Sequence, residues 1–252
     1  MNADELARVT ADPIQTLGAS FYFDAPTVGR AKEIGLNVYE FYGLGRAGVM
    51  GNVEPDVVQR AFTFFHPDAI AMIYTRAREK ADPAEAAQHY VRAAYEFADR
   101  TFGAVSTELL GAFAAAVDQV AANVETGRHL LFDGYHRAAA PTDPVHAAYL
   151  GTIVLRELRG GVHIEAVAEA GLSPSEATYA QDPSLFALHG YGDADVPPDA
   201  APLSTRKADA EVRTDASMAG YFSVLNDDER QTLADATLAM FAALKSPVAV
   251  TR

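Results

Sequence analysis

The spacing of apolar and polar positions divides the chain into short helical stretches rather than alternating strands. Ala3 to Thr10 reads as a helix stopped by Asp12-Pro13, since proline lacks the amide that a helix interior needs. Ile14 to Phe23 ends in Phe21-Tyr22-Phe23, either a helix end or a short extended piece. Asp24-Ala25-Pro26 opens a helix predicted to Ile34 and closed by Gly35. Helices follow from Pro55 to about Phe65, Asp68 to Lys80 and Ala84 to about Phe102; in the last, Ala87, Tyr90, Val91, Ala94 and Tyr95 share one face. Ser106 to Asn123 is alanine-rich, which suits a helix that neighbours approach closely. Leu130 to Ala140 has no clear period.

Asp143-Pro144 opens a helix to Arg159 that Gly160-Gly161 is expected to end. His163 to Ala170 then reads as a separate short helix, ended by Gly171. Asp182 to Pro202, rich in Pro, Gly and Asp, reads as loop, and a last helix runs from about Asn226-Asp227 to Lys245. No alternating segments are long enough for a substantial sheet, so the predicted class is all-α.

Composition narrows the chemistry. Without cysteine there is no disulfide, thiolate zinc site, iron–sulfur cluster or cysteine nucleophile. The start, Met1-Asn2-Ala3-Asp4-Glu5, lacks the basic and apolar regions of a signal peptide, and no apolar stretch is long enough to span a bilayer, so the expected location is cytoplasmic with no membrane partner. The net charge of −14 opposes binding to a polyanionic duplex, whose affinity comes largely from Lys and Arg on phosphates.

Gly43-Leu44-Gly45-Arg46-Ala47-Gly48 fits the G-x-G-x-x-G of a dinucleotide turn, and Leu36 to Tyr42 can pass as its strand. Gly51 and Pro55 interrupt the helix that such a turn must open, so close packing of a glycine-bearing segment is the better reading. Arg46, among Phe41, Tyr42, Leu44 and Val49, must then reach water or pair with an anion, protein carboxylate or ligand.

Ile164 to Ala177 is laid out like a helix-turn-helix, with a short helix, Gly171 as the turn and Ser173-Pro174 opening a second element, Ser175 to Gln181. From Ile164 to Thr205 there are seven acidic residues and no Lys or Arg, a charge of −7 that repels phosphate and argues against nucleic acid as a partner. Among the seven histidines no H-x-x-x-H pair or H-E-x-x-H motif occurs, so no metal site is assigned; the G-x-S-x-G nucleophile elbow is absent too. His163 stands out because Arg156 and Arg159, neighbours at i, i+3, precede it. Two guanidiniums beside an imidazole can hold an anion or a porphyrin propionate, with His163 as proton donor or axial ligand, which leaves haem open as a cofactor. The alternative is a turn held by Arg–carboxylate bonds.

Several stretches together resemble a poorly characterised actinobacterial family whose members are labelled helix-turn-helix proteins. They are Phe21-Tyr22-Phe23-Asp24-Ala25-Pro26, Tyr42 to Gly51, Phe64-Phe65, and Leu155-Arg156-Glu157-Leu158-Arg159-Gly160-Gly161-Val162-His163. The family pattern R-E-H-R-G-D-G-H is met by Arg156, Glu157, Arg159, Gly160 and His163, and not by Leu158, Gly161 and Val162. The resemblance implies a winged-helix C-terminal part, whose wing is not recognisable in Tyr191 to Pro202, and a T-D pair that Thr214-Asp215 matches.

The expected layout is a multi-helix N-terminal lobe (1–140) packed on a degenerate winged-helix-like C-terminal lobe (141–252). Aromatics near Phe21 to Phe23, Tyr39 to Tyr42 and Phe62 to Phe65 line a cavity or fill a core. The leading expectation is a protein that binds a small aromatic or anionic molecule through Tyr22, Tyr42, Arg46, Phe65, Arg156 and Arg159. The second is an enzyme of specialised metabolism with His163 as its acid–base or haem-ligating residue, and the third a transcription regulator. Gly111 to Ala122 suits either a homodimer face or an internal helix.

Overall fold

Residues 1–138 and 141–245 are described by the computed structural model, and every regular element among them is helical. The first helix, α1 (Ala3–Ala19), starts at a capping box in which the Asn2 side chain accepts from the Glu5 amide and Glu5 from the Asn2 amide. It does not stop at Asp12-Pro13, because Pro13 lies buried inside it. An interior proline costs about 3 kcal/mol. Leu6, Ile14 and Leu17 are almost completely buried, and each such side chain contributes roughly 1.5–3 kcal/mol. Packing therefore outweighs the local penalty.

Six helices follow: α2 (Ala25–Glu33), α3 (Val38–Ala47), α4 (Pro55–Ala61), α5 (Pro67–Arg78), α6 (Pro83–Phe102) and α7 (Thr107–Ala121). The prolines at their first turns lack only amides that a helix start leaves free anyway. The glycine motif lies in α3 and the turn after it, with no strand before it. Its three glycines are contact points: a Cβ would come within 2.8 Å of Ile73 at Gly43, 2.8 Å of Tyr90 at Gly45, and 2.0 Å of the Pro83 carbonyl at Gly48. They let α3 press against α5 and α6, which rules out the phosphate turn on packing grounds. The alanine-rich α7 lies on α9 (Pro144–Glu169), where Phe113 and Val117 approach Gly151.

The short α8 (Leu130–His136) also packs on α9. At 26 residues α9 is the longest helix, and it contacts α1, α6, α7, α8 and α12 (Leu203–Phe222). It runs straight through Gly160-Gly161, so the expected stop and the separate helix from His163 are both corrected. Neither glycine takes a positive φ, and burial of Leu158, Val162, Ala166 and Val167 carries the helix across them. The stop is Gly171, whose φ of 73° is open to glycine and strained for other residues. After it come α10 (Pro174–Gln181), α11 (Pro183–Phe186), α12 and α13 (Asp227–Lys245). The stretch expected as loop holds α11 and two 3-10 turns. Between Tyr191 and Pro202 there is no strand to form a wing.

A buried cluster extends from Leu6 to Met240, and a smaller one, built on Val167, Leu172, Ala177, Leu203 and Ala210, holds the α9–α10 corner on α12. The lobe boundary expected at 140/141 falls where Ala139 and Ala140 lie outside the described residues, as do residues 246–252. No helix among the described residues is long and apolar enough to cross a membrane.

Candidate functional site

A cavity of about 940 Å³ opens between α1, α3, the α4–α5 connection, α9, α10 and α12. Its size falls within the range of small-molecule sites. On one wall Arg46 of α3 meets Glu157 of α9 side-on, Nε to Oε1 at 3.0 Å and Nη2 to Oε2 at 2.7 Å. Its Nη1 donates to the Tyr42 hydroxyl at 2.8 Å, and its guanidinium lies 4.6 Å from the Phe62 ring centroid. Arg156 donates to the same carboxylate through Nη1 at 3.1 Å. Two guanidiniums thus share one carboxylate, leaving one positive charge over. Burial alone would raise the Glu157 pKa, but Arg46 and then Arg156 outweigh it and hold the carboxyl below its usual range.

Arg156 crosses α1 at Gly18, where a Cβ would sit 2.6 Å from its Cδ, and its guanidinium lies 5.3 Å from the centre of the Tyr22 ring. Its Nε is buried with no partner among the described residues. Burial pushes the Tyr22 hydroxyl up to about 12, against the pull of Arg156 and Arg46, and this hydroxyl too has no partner among the described residues.

One turn along α9, Arg159 donates through Nη2 to Glu211 at 3.0 Å and Asp215 at 3.1 Å, both on α12. His163 follows at the next turn, with Nδ1 2.9 Å from the Thr214 hydroxyl. That hydroxyl is also 2.7 Å from the Ala210 carbonyl. The carbonyl can only accept, and threonine has one hydroxyl proton. Both contacts are hydrogen bonds only if Nδ1 carries the imidazole proton, which leaves Nε2 unprotonated. Nδ1 makes the one hydrogen bond of this imidazole among the described residues, and His163 lines the cavity. Burial, then Arg159 and Lys207, lower the His163 pKa more than Glu211 raises it.

On the far side Arg128 pairs side-on with Glu165 at 3.0 and 2.7 Å. His129 packs against Gly161, where a Cβ would stand 2.4 Å from its Nδ1. Among the described residues no three His, Asp or Glu side chains cluster as a metal site.

Of the residues singled out in the sequence, Tyr42, Arg46, Phe65, Arg156, Arg159 and His163 line this one cavity. Tyr22 lies behind it, its ring beneath Arg156. Phe65 touches Tyr42, Phe62 and His189, with centroids 5.8, 6.2 and 4.6 Å apart. Phe62 and Phe64, from the aromatic stretch expected to line a cavity or fill a core, are also on its wall, whereas the sequence reading did not place His129, Lys207 or Glu211 at the site. The T-D pair was its one pointer to α12, and those two residues meet His163 and Arg159.

The helix-turn-helix layout is present as the end of α9, the turn at Gly171 and α10, but α10 faces inward. Ala177 and Thr178 are buried, and the Thr178 hydroxyl is 3.1 Å from the Phe64 carbonyl. Ala177, Thr178 and Gln181 form part of the cavity wall. No curated protein and no solved structure matches the chain. A family model described as a helix-turn-helix family matches residues 7–191, which takes in most of α1, the aromatic wall, the Arg46–Glu157 pair, His163 and the α9–α10 corner. The chain is therefore a member of this helix-turn-helix family.

Proposed function

We propose that this protein binds a flat, anionic small molecule in the cavity between α3, α9 and α12. The observation that carries the reading is a local reversal of charge. Seven of the 20 Lys and Arg side chains of a −14 chain line this cavity, against five carboxylates. A protein-wide excess of acid would repel an anion, so the cations must act at short range, where a poorly hydrated wall strengthens them. Arg156 supports the reading further: it donates once to Glu157 and keeps N–H groups to spare. Tyr42, Phe62 and Phe65 supply aromatic faces beside it. In this reading the protein works in the cytoplasm.

The test is thermal stabilisation of the full chain by a panel of aromatic acids. Stabilisation by at least one acid, removed in Arg156→Gln, is the expected result; no shift with any acid sinks the reading. Protein purified from its own host should carry no Soret band. A band that disappears in His163→Ala would make the ligand haem and bring forward an enzymatic role for His163.

Membership of a helix-turn-helix family favours a second reading, a transcription regulator. Opposing it, α10 carries Glu176 and no cation, and one of its faces is spent on the cavity wall.

A further inference from the structure

The cavity has two unlike ends, and they lie along one helix. At one end two guanidiniums share the Glu157 carboxylate, and Arg156 has N–H groups free. At the other end His163, seven residues further along α9, presents an unprotonated Nε2. Seven residues of α-helix span about 10 Å and bring the chain back to nearly the same face. Opposite α9 runs the aromatic connection after α4. Phe62 lies 4.6 Å from the Arg46 guanidinium, and Phe64 has its centroid 5.6 Å from that of His163. The slot between has a cation at one end, a hydrogen-bond acceptor at the other and aromatic rings along one side.

We infer that the ligand is an aromatic acid bearing a hydroxyl about 10 Å from its acidic group, with the acid on Arg156 and the hydroxyl donating to Nε2 of His163. This rests on the proposed anion-binding function and adds the ligand's length, polarity and orientation. Charge at the His163 end supports the orientation. Arg159 and Lys207 there are answered by Glu211 and Asp215, so that end is near neutral and suits an uncharged donor. The surplus positive charge is at Arg156. Thr214 acts as a positioning residue: it fixes the proton on Nδ1 and so keeps Nε2 an acceptor.

The experiment compares dissociation constants of two probes by calorimetry at pH 7.5: 4′-hydroxybiphenyl-4-carboxylate, and biphenyl-4-carboxylate, which lacks the hydroxyl. The expected result is about tenfold tighter binding of the hydroxylated acid, the worth of one good hydrogen bond. The ratio should fall to about one in His163→Phe. It should fall likewise in Thr214→Val, an isosteric change that leaves the imidazole in place and frees its tautomer. Arg156→Gln should weaken both acids alike and keep the ratio. Melting curves of the variants, with the ratio taken within each one, separate a loss of fold from a loss of discrimination. Equal binding of the two acids to the wild type overturns this inference while leaving anion binding standing. Failure of both acids to bind overturns the ligand class, and the wider acid panel decides separately whether the cavity binds anions at all.

Discussion

The Arg46–Glu157–Arg156 group is costly to hold together, since Arg46 and Glu157 are almost wholly removed from water. A buried ion pair roughly offsets its own desolvation, but removing one partner leaves an unanswered charge. Glu157→Gln leaves two guanidiniums facing one another, so urea titration should show a loss of about 3–5 kcal/mol. A change at the exposed Arg60–Asp56 pair should leave the urea midpoint nearly where it was, because solvent screens that pair. The histidines set a milder limit. Burial holds both His163 and His129 below the ordinary value of 6.5. As pH falls through that value the unfolded chain takes up protons first, so stability is full above it and declines below it. The urea midpoint should therefore drop between pH 7.5 and 5.5, and His163→Gln should reduce that drop. A second decline follows in the acid range below 4.5, as Glu157 is forced to protonate. At this scale the sequence was partly legible. A lone arginine among aromatics announced Arg46, and the i, i+3 arginines announced the α9 wall. Nothing local could show that Tyr22 would lie under Arg156, because that contact depends on where α1 crosses α9.

The elements were legible where their ends are chemical and obscure where packing decides. Caps and first-turn prolines located α2, α4 and α6, and alanine content located α7. The misreadings at Pro13 and at Gly160-Gly161 share one cause: a local stop signal overridden by the buried residues beyond it. The 20-residue α12 was assigned no element because half of its buried stripe is the small residues Ala210, Thr214 and Ala219, which give little apolar contrast. The two glycines inside α9 look equivalent in sequence and differ in space. A Cβ at Gly160 meets nothing within 4 Å, whereas one at Gly161 strikes His129 at its Nδ1, Cγ and Cβ. Gly160→Ala should therefore stabilise the protein by about 0.5–1 kcal/mol, the usual gain in a helix interior. Gly161→Ala should destabilise it, and thermal melts of the pair should show shifts of opposite sign. Equal shifts would mean that His129 does not rest on this glycine.

At the scale of the whole molecule, charge and shape were legible separately but not together. Composition gave the net charge and periodicity gave the all-α class. That seven cations face one cavity follows only from the three-dimensional arrangement of α1, α3, α4, α9, α12 and the segment before α8. The same arrangement governs nucleic-acid binding. With an acidic exterior and an α10 that carries no cation, the full chain should give no mobility shift with duplex DNA at 50 mM salt. A shift that weakens steeply with added salt would instead show phosphate contacts made by cations from elsewhere in the chain. There is also a consequence in time. The first helix, α1, is covered by α12 and α13, and the Arg230 side chain reaches the Met1 carbonyl. More than two hundred residues separate α1 from α13. During vectorial synthesis α1 is made before α13, so the part of its face that α13 covers stays exposed until more than two hundred further residues have followed. That part of α1 is open to chaperones in the interval, and a truncation within α13 would leave it uncovered for good.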